Sequence, residues 1–449
     1  MDLHERLKTP RPGAIERDPF ADIKSRVHLA VIGDLGPQLF NVNMDPEELR
    51  DRVLSDLRTQ LEEETGVSRD DRQRIALEVA DDILGHGPLD RLLTDDTVTE
   101  IMVNGPHDIW IERGGRLYRS DARFNDESHL IRMINKMVAQ VGRRIDEASP
   151  MVDARLPDGS RVNAVLPPLS LSGPLITIRK FSRRRLTLED MIALGTLNSE
   201  SVEFLERCVQ AQLNMLISGG TGSGKTTLLN ALSTAIPENE RIVTIEDAAE
   251  LRLNQTHVLR LESRPKDLAG ENEISIRELV RNSLRMRPDR IVVGEVRGPE
   301  ALDMLQAMNT GVEGSMSTVH ANTPRDAFSR LETMVMMAGF EIPLRAVRQQ
   351  ISSAIDLIVQ LERLDDGSRR VTSITEIQRM EVEVITLQEL FAFHVEQITP
   401  ERVVIGNLVA TGLRPTFLSK FEKRGIPLPA GLFQEPVNAV HAGTGSTQQ

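Results

Sequence analysis

The sequence predicts an α/β protein. A larger domain with a parallel-sheet core follows a smaller α/β domain and, before that, a helical module. Three observations carry the prediction. Residues 219–227 read Gly-Gly-Thr-Gly-Ser-Gly-Lys-Thr-Thr, which fits the phosphate-loop pattern G-x-x-x-x-G-K-[ST]. From Thr187 onward, apolar runs of strand length alternate with helical patterns, the signature of a parallel sheet covered by helices on both faces. Before residue 86, Leu and Val recur at helical spacing.

The loop comes first because its chemistry is the most specific. Leu213 to Ser218 is a short apolar run that reads as a buried strand, and Thr226 to Ala235 reads as a helix leaving the loop. Strand, loop and helix in that order is the setting a phosphate loop requires. Gly219, Gly220, Gly222 and Gly224 let the backbone curl, with Thr221 and Ser223 between them, so that amide N–H groups face phosphate oxygens. The helix adds its unpaired N–H groups and positive dipole end. Lys225 is expected to reach the β- and γ-phosphates, and the Thr226 hydroxyl to ligate Mg2+, with Thr227 completing the motif. The expected ligands are therefore ATP and Mg2+.

Along the chain, residues 1–18 are rich in Pro, Arg and Asp and read as disordered. Residues 19–86 read as the helical module. Asp45-Pro46 is a helix start, Leu49, Val53, Leu54, Leu57 and Leu61 form one stripe, and Ser68 with Asp71 suggests a second cap. Gly85-His86-Gly87-Pro88 breaks the pattern. Residues 87–182 then read as the smaller α/β domain. It has a strand near Glu100–Asn104, hairpins turning at Gly114-Gly115 and at Pro157-Asp158-Gly159, a helix near Ser128–Val141 and a strand from Leu175. Residues 183–187 read as a linker, 188–435 as the nucleotide domain with C-terminal appendages, and 436–449 as a loose tail.

Composition narrows the function classes. The chain has 449 residues, 40% hydrophobic and 27% charged, which suits a folded protein of two or three domains. Its net charge of −13 argues against a general nucleic-acid or anionic-membrane surface. The single Cys208 forms no internal disulfide, which fits a reducing cytosol. The first residues lack the apolar run of a signal peptide, and no apolar run approaches the ~18 residues of a transmembrane helix. Direct membrane insertion is not expected, and any membrane connection would go through partners.

Three more stretches end expected strands, where ligands sit in α/β sheets. They are Ile245–Glu250, Ile291–Glu295 and Ser317–His320. Hydrolysis of a nucleoside triphosphate needs a metal beside the β/γ-phosphates and a group that activates water. Glu295 suits the metal shell, Glu250 or Glu246 the base, and His320 a contact to the γ-phosphate.

These four stretches, in this order, resemble the secretion ATPase superfamily, the GspE-like type II secretion, type IV pilus and type IV secretion traffic ATPases. The loop resembles the family's Walker A. Thr244–Glu250 resembles its Asp box, Val293–Gly298 its Walker B, and Ser317–Asn322 its His box. Glu100–Pro106, Leu284–Arg290 and Leu302–Gly311 are similar to the CpaF-type Tad/Flp pilus assembly ATPases, and the helical module also suits that subfamily. The resemblance covers roughly residues 85–435.

The resemblance implies a RecA-like ATPase domain after a PAS-like α/β domain, in a hexameric ring with nucleotide between the two domains. It makes Glu250 the catalytic glutamate, Glu295 the Walker B metal residue and His320 the His-box residue. It assigns Arg161 and Arg179 to the γ-phosphate. It also implies a cytoplasmic motor, peripheral at the inner membrane, that drives pilus assembly, or retraction, through inner-membrane platform proteins. A type IV secretion or conjugation traffic ATPase is the alternative. A nucleotide-gated adaptor and a DNA translocase are further readings, the last disfavoured by the charge. Two departures stand out. The paired-Cys zinc site of some type II secretion relatives is absent, and Ala248 stands where the Asp box usually has Pro or Thr.

Overall fold

The computed structural model describes residues 19–35, 46–181, 186–264, 266, 272–380, 385–429 and 431–433. The expected disordered start, the Asp45 cap, residues 183–185 of the linker and the tail from 436 lie outside the described residues. The chain divides into two compact units, residues 1–183 and 184–449.

In the first unit, α1 (Ala21–Leu35), α2 (Pro46–Glu63) and α3 (Arg69–Leu84) pack around Val27, Val31, Val53, Leu57, Leu61, Ile75 and Val79. The Ser68 side chain caps α3 by accepting from Asp71 N–H at 3.1 Å. A short α4 (Asp90–Thr94) leads into β1 (Val98–Asn104), β2 (Ile109–Arg113) and β3 (Arg116–Arg119). After α5 (Glu127–Ala139) come β4 (Met151–Arg155), β5 (Arg161–Val165) and β6 (Leu175–Arg179). The six strands form one antiparallel sheet in the order β3-β2-β1-β6-β5-β4. Its core takes Ile101, Val103, Ile109 and Ile178 from the strands and Leu130, Ile134 and Met137 from α5. Lys136 on α5 closes the end of α3. Its ammonium donates to the carbonyls of Asp82, Ile83 and Gly85 at 3.2, 2.7 and 2.7 Å, so one side chain satisfies three carbonyls at or beside the helix C-terminus.

The second unit opens with α6 (Leu188–Ala193) and α7 (Ser199–Gln210), then β7 (Met215–Gly219), α8 (Lys225–Ser233), β8 (Ile242–Glu246) and β9 (Val258–Glu262). There follow α9 (Ile276–Ser283), β10 (Arg290–Val296), α10 (Glu300–Asn309), β11 (Met316–His320), α11 (Pro324–Met336) and α12 (Leu344–Ala354). The unit ends with β12 (Leu357–Arg363), β13 (Arg369–Ile377), β14 (Leu387–Ile398), β15 (Val404–Ala410) and α13 (Leu418–Lys423).

The strands form one sheet, ordered β15-β14-β13-β12-β7-β11-β10-β8-β9. From β12 to β9 every pairing is parallel. From β12 to β15 every pairing is antiparallel. The core is parallel, as expected from sequence, and the antiparallel strands beyond β12 make the sheet as a whole mixed. The central strands read as unbroken apolar runs because both faces are covered. Their alternate residues split between two cores, with Met215, Ile217 and Val292 on one side and Leu216, Val243, Ile291 and Val293 on the other. Among the described residues, no helix is long and apolar enough to cross a membrane.

Candidate nucleotide site

The parallel register brings the candidate residues of the second unit to one edge of its sheet. Along β11, His320 sits opposite Gly219 of β7, and Val319 sits opposite Val296 of β10. The phosphate loop, His320, Glu295 and the Glu246–Glu250 stretch thus follow the C-terminal ends of neighbouring strands, where parallel α/β sheets bind ligands.

The loop leaves β7 at Gly219. A Cβ there would come within 2.5 Å of both the Leu361 carbonyl oxygen and Ser223 Oγ, so only glycine lets the loop pass β12. Gly222 and Gly224 have φ of +69° and +99°, and Gly224 is the residue from which α8 starts. Lys225 is buried, and its ammonium donates to the carbonyls of Gly219 and Gly220 at 3.0 and 2.9 Å. Ser223 Oγ donates to the Gly220 carbonyl at 2.9 Å. Thr226 and Thr227 follow on the first turn of α8.

A polar chain links the loop to β10. Thr221 Oγ1 lies 2.9 Å from His320 Nε2, and His320 Nδ1 lies 3.2 Å from Glu295 Oε1. A carboxylate only accepts. This assigns the proton of neutral His320 to Nδ1, leaving Nε2 to accept from Thr221. The other Glu295 oxygen accepts from Arg297 Nη2 at 2.5 Å. Burial pushes the Glu295 carboxyl up. Arg297, through its hydrogen bond and charge, together with His320 and Lys225, outweighs that and holds it below the usual carboxylate range. Glu295 is therefore ionised across neutral pH.

Arg297 gathers the acids of two strands. Its Nη1 is 3.6 Å from Asp247 Oδ2, and Glu295, Asp247 and Glu250 all favour its charged form. It stands two residues after Glu295, just past the end of β10, and its place in the Val293–Gly298 stretch was the available sequence signal.

The two candidate bases separate clearly. Glu246 is buried, and its Oε2 accepts from the backbone N–H groups of Glu250 and Leu251 at 2.7 and 2.8 Å. It shapes the loop that presents Glu250, which is half-buried. Gly294 makes room for it: a Cβ at Gly294 would lie 2.8 Å from Glu246 Cγ. We expect Gly294→Ala to destabilise the second unit by about 1–3 kcal/mol through overpacking and to slow hydrolysis as the Glu250 loop shifts. Thermal melting beside steady-state kinetics checks this, and a variant with both values unchanged would refute the brace.

The oxygen-rich set fits a nucleotide with Mg2+. Among the described residues no cluster of three or more His, Cys, Asp and Glu side chains could hold a metal ion by itself. Mg2+ in nucleotide sites takes one or two protein oxygens and completes its shell with phosphate and water. The Thr226 hydroxyl and the ionised Glu295 carboxylate are suitable donors.

Arg161 and Arg179 lie in the first unit, directly opposite each other across β5 and β6. Arg155 stands opposite Arg161, and Glu100 stands opposite Arg179 with Nε 3.6 Å from its Oε1. They form a row of three arginines ending in an acid.

Fold and site define a phosphate-loop nucleotide-binding protein. A family model described as "Type II/IV secretion system protein" matches residues 82–401. A Mycobacterium tuberculosis (strain CDC 1551 / Oshkosh) protein named for conjugal transfer, MT3759, is 38% identical over 314 residues, covering 68% of this chain and 89% of its own. The type IV secretion system protein VirB11 of Bartonella quintana (strain Toulouse) is 33% identical, covering 64% of this chain and 90% of its own. Among solved structures, the VirB11 ATPase of the Brucella suis type IV secretion system, in complex with sulphate, is 31% identical, with a TM-score of 0.36 over 64% of this chain and 94% of that one. The chain belongs to the type II/IV secretion system protein family. Membership together with the phosphate loop implies ATP hydrolysis.

Proposed function

We propose that the chain is a Mg2+-dependent ATPase motor that works as a homo-hexameric ring in type IV secretion or conjugation-type transport. The observation that carries the reading is the polar chain from the phosphate loop through His320 to Glu295, with Arg297 joining Glu295 to the charges of Asp247 and Glu250. The relatives named for conjugal transfer and type IV secretion support this cargo class.

In this reading Lys225 and the N–H groups opening α8 hold the phosphates, and Thr226 and Glu295 hold Mg2+. The ion would neutralise phosphate charge. Glu250 takes a proton from the attacking water. His320 is assigned a contact to the γ-phosphate, which requires Nε2 to carry a proton and give up the hydrogen bond it accepts from Thr221. Arg161 and Arg179 are assigned to the charge on the transferring phosphoryl group, a role that suits guanidinium. The motor is placed in the cytoplasm, at the inner membrane through partner proteins, with no stable nucleic-acid complex.

A second reading, assembly or retraction of a Tad/Flp-type pilus through inner-membrane platform proteins, is favoured by the CpaF-like segments and by the three-helix module, nearly all of which precedes the family match. The first experiment measures hydrolysis and molecular mass across a protein concentration series, with and without DNA. We expect activity to rise with ring formation and to ignore DNA. Concentration-independent activity of a monomer would overturn the ring motor, and salt-sensitive stimulation by DNA would favour a translocase. Deleting the gene and scoring secretion or conjugal transfer against surface pili separates the two cargo readings.

A further inference from the structure

Asn230 sits inside α8, five residues after Lys225. Asn is a poor helix former, because its side chain competes for nearby backbone groups, so this position costs helix propensity. The side chain is half-buried and turns to the stretch that follows β8. Asn230 Oδ1 accepts from the Arg252 backbone N–H at 2.8 Å. An N–H only donates, so the Asn230 amide is fixed with its oxygen toward Arg252.

The stretch is strapped on both sides of that contact. Before it, Glu246 Oε2 accepts from the N–H groups of Glu250 and Leu251. After it, the Gln255 side-chain amide donates to the carbonyl of Ser233, at the end of α8, and to that of Ile236 at 3.4 Å. Leu251 and Leu253 are buried in the same core as Leu228, Leu229 and Leu232 of α8. Apolar packing presses the stretch onto the helix but is non-directional, so it leaves open where along α8 Glu250 stands. The hydrogen bonds settle that. Three successive N–H groups, of Glu250, Leu251 and Arg252, are held by two side chains, one from β8 and one from α8.

We propose that Asn230 is a positioning residue for ATP hydrolysis. It ties the stretch that carries Glu250 to the helix that opens at the phosphate loop, so that the base and the bound phosphates keep a fixed separation. The inference rests on Glu250 acting as the base. Glu246 sets the turn from the strand side, and Asn230 sets its place along α8. Misplacing a reacting group by about 1 Å can cost up to about 10²-fold in rate. Nucleotide binding, which uses the loop and Lys225, needs no such precision at Glu250.

The test measures kcat and the Kd of fluorescently labelled ADP for full-length wild type, Asn230→Leu, Asn230→Ser, Asn230→Asp and Glu250→Gln. Thermal melting and hydrogen exchange of residues 247–253 accompany each. Asn230→Leu keeps the volume and loses the acceptor. Asn230→Ser is too short to reach and adds no apolar bulk, so one removal variant remains if the other fails to fold. We expect kcat to fall about tenfold in both, with the ADP Kd within about twofold of wild type and faster exchange in 247–253. Asn230→Asp keeps an acceptor in the same place and should bring kcat back to within about threefold of wild type. Unchanged exchange and a kcat within about twofold of wild type in a folded removal variant would overturn the proposal, as would equal impairment of the Leu, Ser and Asp variants. Full turnover in Glu250→Gln would instead remove the base on which the inference rests.

Discussion

Lys225→Ala is expected to reduce ATP hydrolysis by about 10²-fold or more, the scale of losing a preorganised cationic donor at a phosphoryl site. The side chain is buried and its ammonium already spans two loop carbonyls. Truncation removes the charge that faces the phosphates and leaves the Gly219 and Gly220 carbonyls without that donor. Nucleotide affinity should fall with turnover. Glu250→Gln should behave differently. It keeps the side-chain volume and leaves the backbone N–H that Glu246 holds, so nucleotide still binds. It removes the proton acceptor, so turnover falls while affinity stays. Paired measurements of kcat and nucleotide Kd check the split. Normal turnover in Glu250→Gln would move the base elsewhere, and Glu295 would be tested next. Normal turnover in Lys225→Ala would refute the phosphate-loop assignment.

The strands and the loop were legible because their causes are local. The run Leu213–Ser218 is apolar on both faces, so it reads as buried, and the glycines and Lys225 follow at fixed offsets. Acids and the histidine at the ends of parallel strands inherit their location from the sheet. The partnerships were not legible. Thr221 meets His320 across 99 positions, and Arg369 meets Gly222 across 147. Neither contact leaves a mark in local spacing. The choice between Glu246 and Glu250 stayed open in sequence because it depends on Gly294, one strand over, whose missing side chain leaves space for Glu246. The antiparallel half of the sheet was incompletely read for another reason. The β12–β13 hairpin announces its turn at Asp366-Gly367, but most of the outer half of β14 is exposed, so its apolar alternation fades. The edge strand β9 is only partly buried and gave an equally weak pattern.

Glu240→Ala should destabilise the second unit by about 3–5 kcal/mol, the cost of leaving a buried charge without its partner. Arg290, the first residue of β10, is fully buried and forms a two-pronged pair with Glu240, one contact at 3.2 Å and a shorter one through Nε. Gln212 donates to the same carboxylate at 2.9 Å, and the Gly314 carbonyl takes a further Arg290 N–H at 3.3 Å. The guanidinium has no route to water, so removing the carboxylate strands it. For a unit of this size the melting temperature should drop by about 10 °C. The double variant Glu240→Met/Arg290→Met tests the cause. If the cost is an uncompensated charge, replacing both partners restores most of the loss, because an apolar pair of similar volume needs no counter-ion. If the double variant is as unstable as the single one, the two side chains hold β10 by shape instead. Because β10 carries Glu295 five residues further on, hydrolysis measured well below the melting point would report whether the strand's lower end also sets the position of its upper end.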